Sequence, residues 1–417
     1  MTDPRKSAAA EWRGHWPLPF AAALGYSVSV LHVYSIGPFI EPLQQTFGWS
    51  RAEVSLGLTI SNAGIAVLCV PIGMLVDRLG PRLIGLIGVI LMASAYALLG
   101  TASGMIANWV LLWALIAFCA PWTQSLVWTS AVASRFETSR GMSFAVTLAG
   151  APLGATVFPV LATWLIGSYG WRTAFAAIGG FWVALVFPVL LFWFRGARDR
   201  QRRGEKTAQP VGRPPGLSLA EGLRTAAFYK LLMAGSLFAF TVIGILVHFV
   251  PILTDSGTAP LAAAGIASLI GVFSVIGRLG TGLLLDRFPG HLVGAAIFLL
   301  ANVACALLLW HGENPVSQSV AASIFGLTLG AEIDVIAYLA TRHFGLRNFG
   351  GLFGGLVAAL NLGSAFGPLA AGATYDRTGS YSSFLILTMV LMTVSALALA
   401  SLRKPPYIAH EDQPPRE

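Results

Sequence analysis

Residues 73–82 read Gly-Met-Leu-Val-Asp-Arg-Leu-Gly-Pro-Arg and lie between two long apolar runs. Part of this stretch returns 209 positions later, with Gly282, Asp286 and Arg287 in the places of Gly73, Asp77 and Arg78. Arg135 and Arg342 repeat in the same way at an offset of 207. Self-similarity over such a period indicates a chain built from two related halves.

The composition requires a lipid environment. Of 417 residues, 56% are hydrophobic and only 11% are charged, so the chain has too few charges to cover a water-soluble surface. Apolar runs of about 20 residues, the length that crosses a bilayer as a helix, recur twelve times, the first over residues 17–40. They are too long for barrel strands. The sequence therefore predicts an all-α polytopic membrane protein with twelve transmembrane helices in two six-helix bundles.

The segment 195–227 is rich in Arg, Pro and Gly and separates six apolar runs from six. It is typical of a flexible cytoplasmic linker. We divide the chain into an N-terminal tail (1–16), an N-terminal bundle (17–194), the linker (195–227), a C-terminal bundle (228–402) and a C-terminal tail (403–417).

Basic residues fix the predicted topology. With the N-terminus in the cytoplasm, 22 of the 26 Lys and Arg residues fall on the inner side, as the positive-inside rule requires. We therefore expect both termini in the cytoplasm and the chain in a bacterial inner membrane. The net charge of +8 follows from this topology and from attraction to lipid headgroups, so no nucleic-acid partner is expected. Only Arg278 falls in no loop.

The residue 73–82 stretch resembles the signature loop of the major facilitator superfamily. The segments Tyr34–Ser55 and Gly330–Gly355 are similar to its monocarboxylate porter and oxalate/formate antiporter branch. The resemblance implies a cargo site between the two bundles near the bilayer midplane, worked by alternating access.

The repeated Asp-Arg motifs are candidate gating residues. An acid at a helix end can pair with a cation on a neighbouring helix and latch the cytoplasmic side shut, or it can tie a loop statically. The candidates are Asp77, Arg78 and Arg135 in the first half and Asp286, Arg287 and Arg342 in the second.

Three charged residues fall inside predicted spans: Arg278, Glu332 and Asp334. Each costs several kcal/mol at the bilayer centre and therefore needs a functional or structural reason. A guanidinium matches a carboxylate bidentately. The resemblance implies that Arg278, followed by Gly280-Thr281-Gly282, binds the substrate carboxylate. The animal porters carry an acid where this chain has Ser274, and a lysine where it has Ile40, so their proton route is not carried over.

Alternatives remain open for all three charged residues. Arg278 could form a permanent salt bridge to Glu332 or Asp334, or exchange such a partner for substrate. Two residues apart on a helix, the acids point about 200° apart, so they cannot both face one cavity. We favour the face of Asp334 and Tyr338, with Asp334 as a proton carrier and Tyr338 as a hydrogen-bond donor to cargo. Glu332 is the second proton-coupling candidate.

Three further residues complete the candidate site. His248, near the outer end of the seventh span, could bind substrate or couple protons, because imidazole titrates near neutral pH. Tyr34 and Gln124 could line the N-terminal half of the cavity. Ordinary interhelical hydrogen bonds explain each of them equally well.

These features favour secondary active transport of a small monocarboxylate or related organic anion, with protons. Exchange of anions, as in oxalate/formate antiport, and export of an amphipathic drug are the alternatives. No nucleotide loop, catalytic motif or His/Cys spacing suggests an enzyme, a cofactor or a metal. The expected partners are substrate, protons and lipid, with no obligate protein partner.

Overall fold

A computed structural model describes residues 8–136, 139–196, 216–345 and 347–402. Within these ranges ten helices are long and apolar enough to cross a membrane. In order they are spans three to twelve: Pro81–Thr101, Ile106–Ala133, Met142–Tyr169, Trp171–Trp193, Ala226–Asp255, Pro260–Leu285, Gly290–His311, Pro315–Phe344, Gly351–Thr378 and Ser382–Ala400.

The second span is the 29-residue helix Arg51–Leu79. It begins at a capping box, in which the Ser50 hydroxyl accepts a hydrogen bond from the Glu53 amide while the Ser50 amide donates to the Glu53 carboxylate. At about 1.5 Å per residue, this helix exceeds the thickness of the hydrocarbon core.

The first span is interrupted, whereas the sequence predicts one helix over residues 17–40. It consists of Pro17–Ser29, Leu31–Ser35, the 3₁₀ turn Gly37–Phe39 and Ile40–Phe47. The turn contains Pro38, which has no amide hydrogen to donate to the helix.

Spans four and five are also broken. Span four passes from Ile106–Cys119 through a 3₁₀ turn to Ser125–Ala133, and span five joins Arg140–Leu148 to Gly150–Tyr169.

The backbone conformation of the signature loop accounts for the glycine and proline at positions 80 and 81. Span two ends at Gly80, whose φ of 91° lies in the left-handed region that favours glycine, and Pro81 opens span three. In the second half, Phe288 occupies the helix end with extended backbone, and Pro289 with φ −57° precedes span nine. The backbone after Arg287 is not left-handed, so the second copy of the motif needs no glycine at the position that matches Gly80.

The described residues group into two compact units, one within Met1–Ala208 and Pro260–Gly271, the other within Gln209–Ala259 and Val272–Glu417. Each unit contains the same close helix contact. A Cβ on Gly150 would overlap the Ala23 carbonyl. The two residues that lie 213 positions later make the same contact, because a Cβ on Gly363 would overlap the Ser236 carbonyl. The halves therefore share packing as well as sequence.

A short helix precedes the first span of each half and lies beside contacts to the end of another span of the same unit. Helix Ala8–His15 places the Glu11 carboxylate at the start of span five, where it accepts hydrogen bonds from the amide and hydroxyl of Ser139 at 2.9 and 2.8 Å. In the second unit, helix Leu219–Leu223 follows Leu217, whose amide donates to the Phe344 carbonyl at 2.8 Å.

Candidate functional site

Arg278 of span eight and Asp334 of span ten form an ion pair. Arg278 Nε lies 3.7 Å from Asp334 Oδ2, and the two side chains are 23% and 32% exposed. The Nε atom is itself buried and makes no hydrogen bond to any described residue. The pair is thus electrostatic and longer than a hydrogen bond, which leaves donor capacity on the guanidinium for another carboxylate.

Two glycines bring the backbones of spans eight and ten together beside this pair. A Cβ on Gly277 would overlap the Leu327 carbonyl oxygen, and a Cβ on Gly330 would overlap the Ser274 carbonyl oxygen. Ser274 is only 3% exposed. Residue 274 is a serine, so the acid near Arg278 comes from the neighbouring helix.

Glu332 does not share the ion pair. It is 7% exposed, and its Oε1 is buried without a hydrogen-bond partner among the described residues. The 3.7 Å contact therefore selects Asp334 from the two acids that the sequence left as partners of Arg278. The expected divergence of residues two apart on a helix accounts for this difference.

His248 is fully buried and tied at both nitrogens within the second unit. Its Nε2 lies 3.0 Å from the Pro368 carbonyl oxygen, and its Nδ1 lies 2.7 Å from the Tyr381 hydroxyl. A carbonyl only accepts, so Nε2 carries the proton and donates. In the neutral ring, Nδ1 accepts from Tyr381. This arrangement joins spans seven and eleven to the residue that precedes span twelve.

Tyr338 lies one helical turn from Asp334, but its contacts run toward the C-terminal end of span ten. Its hydroxyl accepts a hydrogen bond from Arg342 Nε at 3.3 Å, and the Arg342 guanidinium lies 5.3 Å from the ring centroid. The ring also packs on Gly290 at the start of span nine. Donation to cargo from this hydroxyl stays a prediction.

Tyr34 and Gln124 both lie at helix interruptions of the first unit. Tyr34 is half-buried in the short helix Leu31–Ser35 of span one. Gln124 is half-buried and extended, with ψ 160°, between the two helical parts of span four. Discontinuous helices are where many transporters place substrate and ion sites. Hydropathy predicts continuous helices here, and only Pro38 and Pro121 signal the breaks locally.

The latch predicted from the Asp-Arg motifs falls partly outside the described residues, because the side chains of Asp77 and Asp286 are not among them. Arg135 Nη2 donates to the Gly196 carbonyl at 3.0 Å, after span six. Arg78 and Arg287 are exposed. The gating role of these residues and of Arg342 stays a prediction.

Described His, Cys, Asp and Glu side chains form no group that could hold a metal ion. Cys119 and Cys305 are free, buried thiols inside spans four and nine.

Comparison with known proteins places the chain in a family. Residues 22–348 match the model of the Major Facilitator Superfamily. Monocarboxylate transporter 13 of Bos taurus is 27% identical over 388 residues, which are 91% of this chain and 86% of that protein. A chloramphenicol resistance protein of Streptomyces lividans is 26% identical over 361 residues, 84% and 88% of the two chains.

Solved structures show the same fold. The D-xylose-proton symporter superposes with a TM-score of 0.72 at 13% identity, covering 94% of this chain and 98% of that one. A bacterial homologue of the human lysosomal transporter Spinster, inward-facing and occupied, gives 0.69 at 18% identity and covers 96% and 97%. The chain has the twelve-helix transporter fold and belongs to the Major Facilitator Superfamily.

Proposed function

We propose that this protein is a secondary active transporter of a small monocarboxylate or related organic anion, coupled to protons. The observation that carries the proposal is the ion pair between Arg278 and Asp334, with its unbonded, buried Nε. The similarity to monocarboxylate transporter 13 supports the same substrate class. Arg278 binds the substrate carboxylate in place of Asp334.

Charge balance supports the coupling to protons. Before substrate binds, Arg278 and Asp334 neutralise each other across 3.7 Å. A substrate carboxylate that takes over the arginine leaves Asp334 as an unpaired charge within the membrane, which is costly. A proton on Asp334 removes that charge. One anion and one proton therefore move together without changing the net charge of the site.

The remaining candidates have subordinate roles. Glu332 is a second proton carrier within span ten. Tyr34, Gln124 and Tyr338 contribute polar groups to cargo binding. His248, buried and hydrogen-bonded at both nitrogens, acts by holding spans seven and eleven together. We place the protein in a bacterial inner membrane with both termini in the cytoplasm, on the basis of the positive-inside charge distribution.

Uptake into proteoliposomes tests this function. Radiolabelled short-chain, hydroxy and aromatic carboxylates are screened with and without an inward proton gradient. Arg278→Gln is expected to abolish uptake, while Arg377→Gln, an exposed arginine in the last turn of span eleven, transports normally. If a folded Arg278→Gln variant takes up carboxylate at the wild-type rate, Arg278 does not bind the substrate. If wild-type uptake does not depend on the proton gradient, the protein is not a proton symporter.

A second function is favoured by the similarity to the chloramphenicol resistance protein. In that case the chain exports an amphipathic drug, or exchanges one anion for another. Chloramphenicol resistance conferred on a sensitive host, with no carboxylate uptake in proteoliposomes, would select export. Uptake that needs a preloaded anion and no proton gradient would select exchange.

A further inference from the structure

The contact between spans eight and ten has a form that only glycine allows. At Gly277 the obstacle to a Cβ is the Leu327 carbonyl, and at Gly330 it is the Ser274 carbonyl. Both obstacles are backbone atoms, so no change of rotamer removes them. An alanine at either position requires the two helix axes to move apart, by a distance on the order of 1 Å if ordinary van der Waals contact is to be restored.

The glycine contact and the ion pair lie at the same level of the two helices. Gly277 immediately precedes Arg278, and Gly330 stands one helical turn before Asp334. The charged atoms are already 3.7 Å apart, beyond hydrogen-bond distance. A further separation on the order of 1 Å would therefore break the pair.

We infer that Gly277 and Gly330 are positioning residues, which set the distance between Arg278 and Asp334 and thereby the ease with which substrate displaces the acid. This inference rests on the proposed function of that pair. The glycines touch no cargo themselves. Span eight supplies the arginine and span ten the acid, so the distance between the two charges depends on how closely the helices approach.

A change in side-chain length separates positioning from mere packing. Asp334→Glu extends the carboxylate by one methylene, about 1.5 Å. In a Gly330→Ala protein, the longer acid spans the widened gap and is expected to restore function. In a protein that keeps Gly330, the longer side chain does not fit the narrower gap between the helices, so Asp334→Glu is expected to lower uptake. A packing defect predicts no such reversal, because a longer acid does not repair helix contacts.

The test measures carboxylate uptake in proteoliposomes for Gly330→Ala, Asp334→Glu and the double variant. Gly265→Ala on span eight, where nothing lies within 4 Å of an added Cβ, is the control. We expect Gly330→Ala to lower the rate of proton-driven uptake roughly tenfold, because an Asp334 already separated from Arg278 is not released by substrate to take the proton. The double variant should recover at least a third of the wild-type rate. Gly277→Ala with Asp334→Glu repeats the comparison from the opposite side of the contact.

Two results would overturn the inference. One is wild-type uptake by folded Gly330→Ala or Gly277→Ala while Arg278→Gln is inactive, which leaves the proposed function intact. The other is Asp334→Glu alone transporting like the wild type, a result that needs no glycine variant to fold. Failure of the proposed function is seen separately, as uptake by Arg278→Gln.

Discussion

Asp334→Asn isolates the acid that we propose is exchanged for substrate. The substitution keeps the shape of the side chain and removes its charge, so Arg278 is left without the partner 3.7 Å away. Coulomb's law gives about 4.5 kcal/mol for two unit charges at this distance with an effective dielectric constant of 20, and about 1.1 kcal/mol in water. The side chains are 23% and 32% exposed, so the attraction lies between these limits and toward the lower one.

An anion entering the wild-type site must overcome this attraction, whereas in Asp334→Asn it does not. We therefore expect the variant to bind carboxylate more tightly, by roughly 5- to 50-fold for 1–2.3 kcal/mol at about 1.4 kcal/mol per factor of ten. It should also lose uptake driven by a proton gradient, because no carboxylate is released to take the proton.

The assay pairs equilibrium binding of a radiolabelled carboxylate to purified protein with uptake into proteoliposomes across a range of external pH. Glu313→Gln, an exposed acid in the loop between spans nine and ten, is the control and should leave both measurements unchanged. Weaker anion binding by Asp334→Asn, or uptake that still follows the proton gradient, would refute the exchange of Asp334 for substrate.

Three other outcomes are expected. Combining Ser274→Asp with Asp334→Asn moves the acid to the helix of Arg278, one turn away, and should restore proton-driven uptake to the inactive single variant; no recovery argues against a movable acid. Glu11→Gln weakens two hydrogen bonds at the start of span five, so the free energy of unfolding should fall by about 1–2 kcal/mol in thermal denaturation, and an unchanged midpoint contradicts this role. Hydrogen bonds from Ser218 lower the pKa of Glu221, so its stabilisation of helix Leu219–Leu223 is present above the unfolded pKa and is lost as pH falls through the folded one. Amide hydrogen exchange in that helix should accelerate in acid, and Glu221→Gln, which has no carboxylate to titrate, should remove the dependence.

Much of the fold follows from the sequence because its main signals are lengths and charges. Apolar runs of membrane length and the offset of 209 between the Asp-Arg motifs predict twelve helices in two halves, the fold of the solved structures that the chain resembles. Helix continuity was harder to predict. The run over residues 17–40 contains no Asp, Glu, Lys or Arg, so hydropathy does not reveal the interruption at Val30 or the turn at Gly37–Phe39.

The candidate site, like the fold, follows only in part from the sequence. Arg278 is evident from sequence because a cation inside an apolar run is conspicuous, and the family resemblance adds its role. The choice between Glu332 and Asp334 does not follow from the sequence, because the orientation of span ten against span eight decides which acid meets the arginine. The contacts of His248 with Pro368 and Tyr381 join residues 120 and 133 positions apart, and no periodicity in a single sequence predicts such pairs.

The tie between helix Ala8–His15 and Ser139 has a practical consequence for anyone purifying this protein. Any alteration that unfolds this helix removes the Glu11 carboxylate from the amide and hydroxyl of Ser139, and so weakens the start of span five from a segment that precedes span one. Engineering of the protein should therefore leave residues 8–15 unchanged.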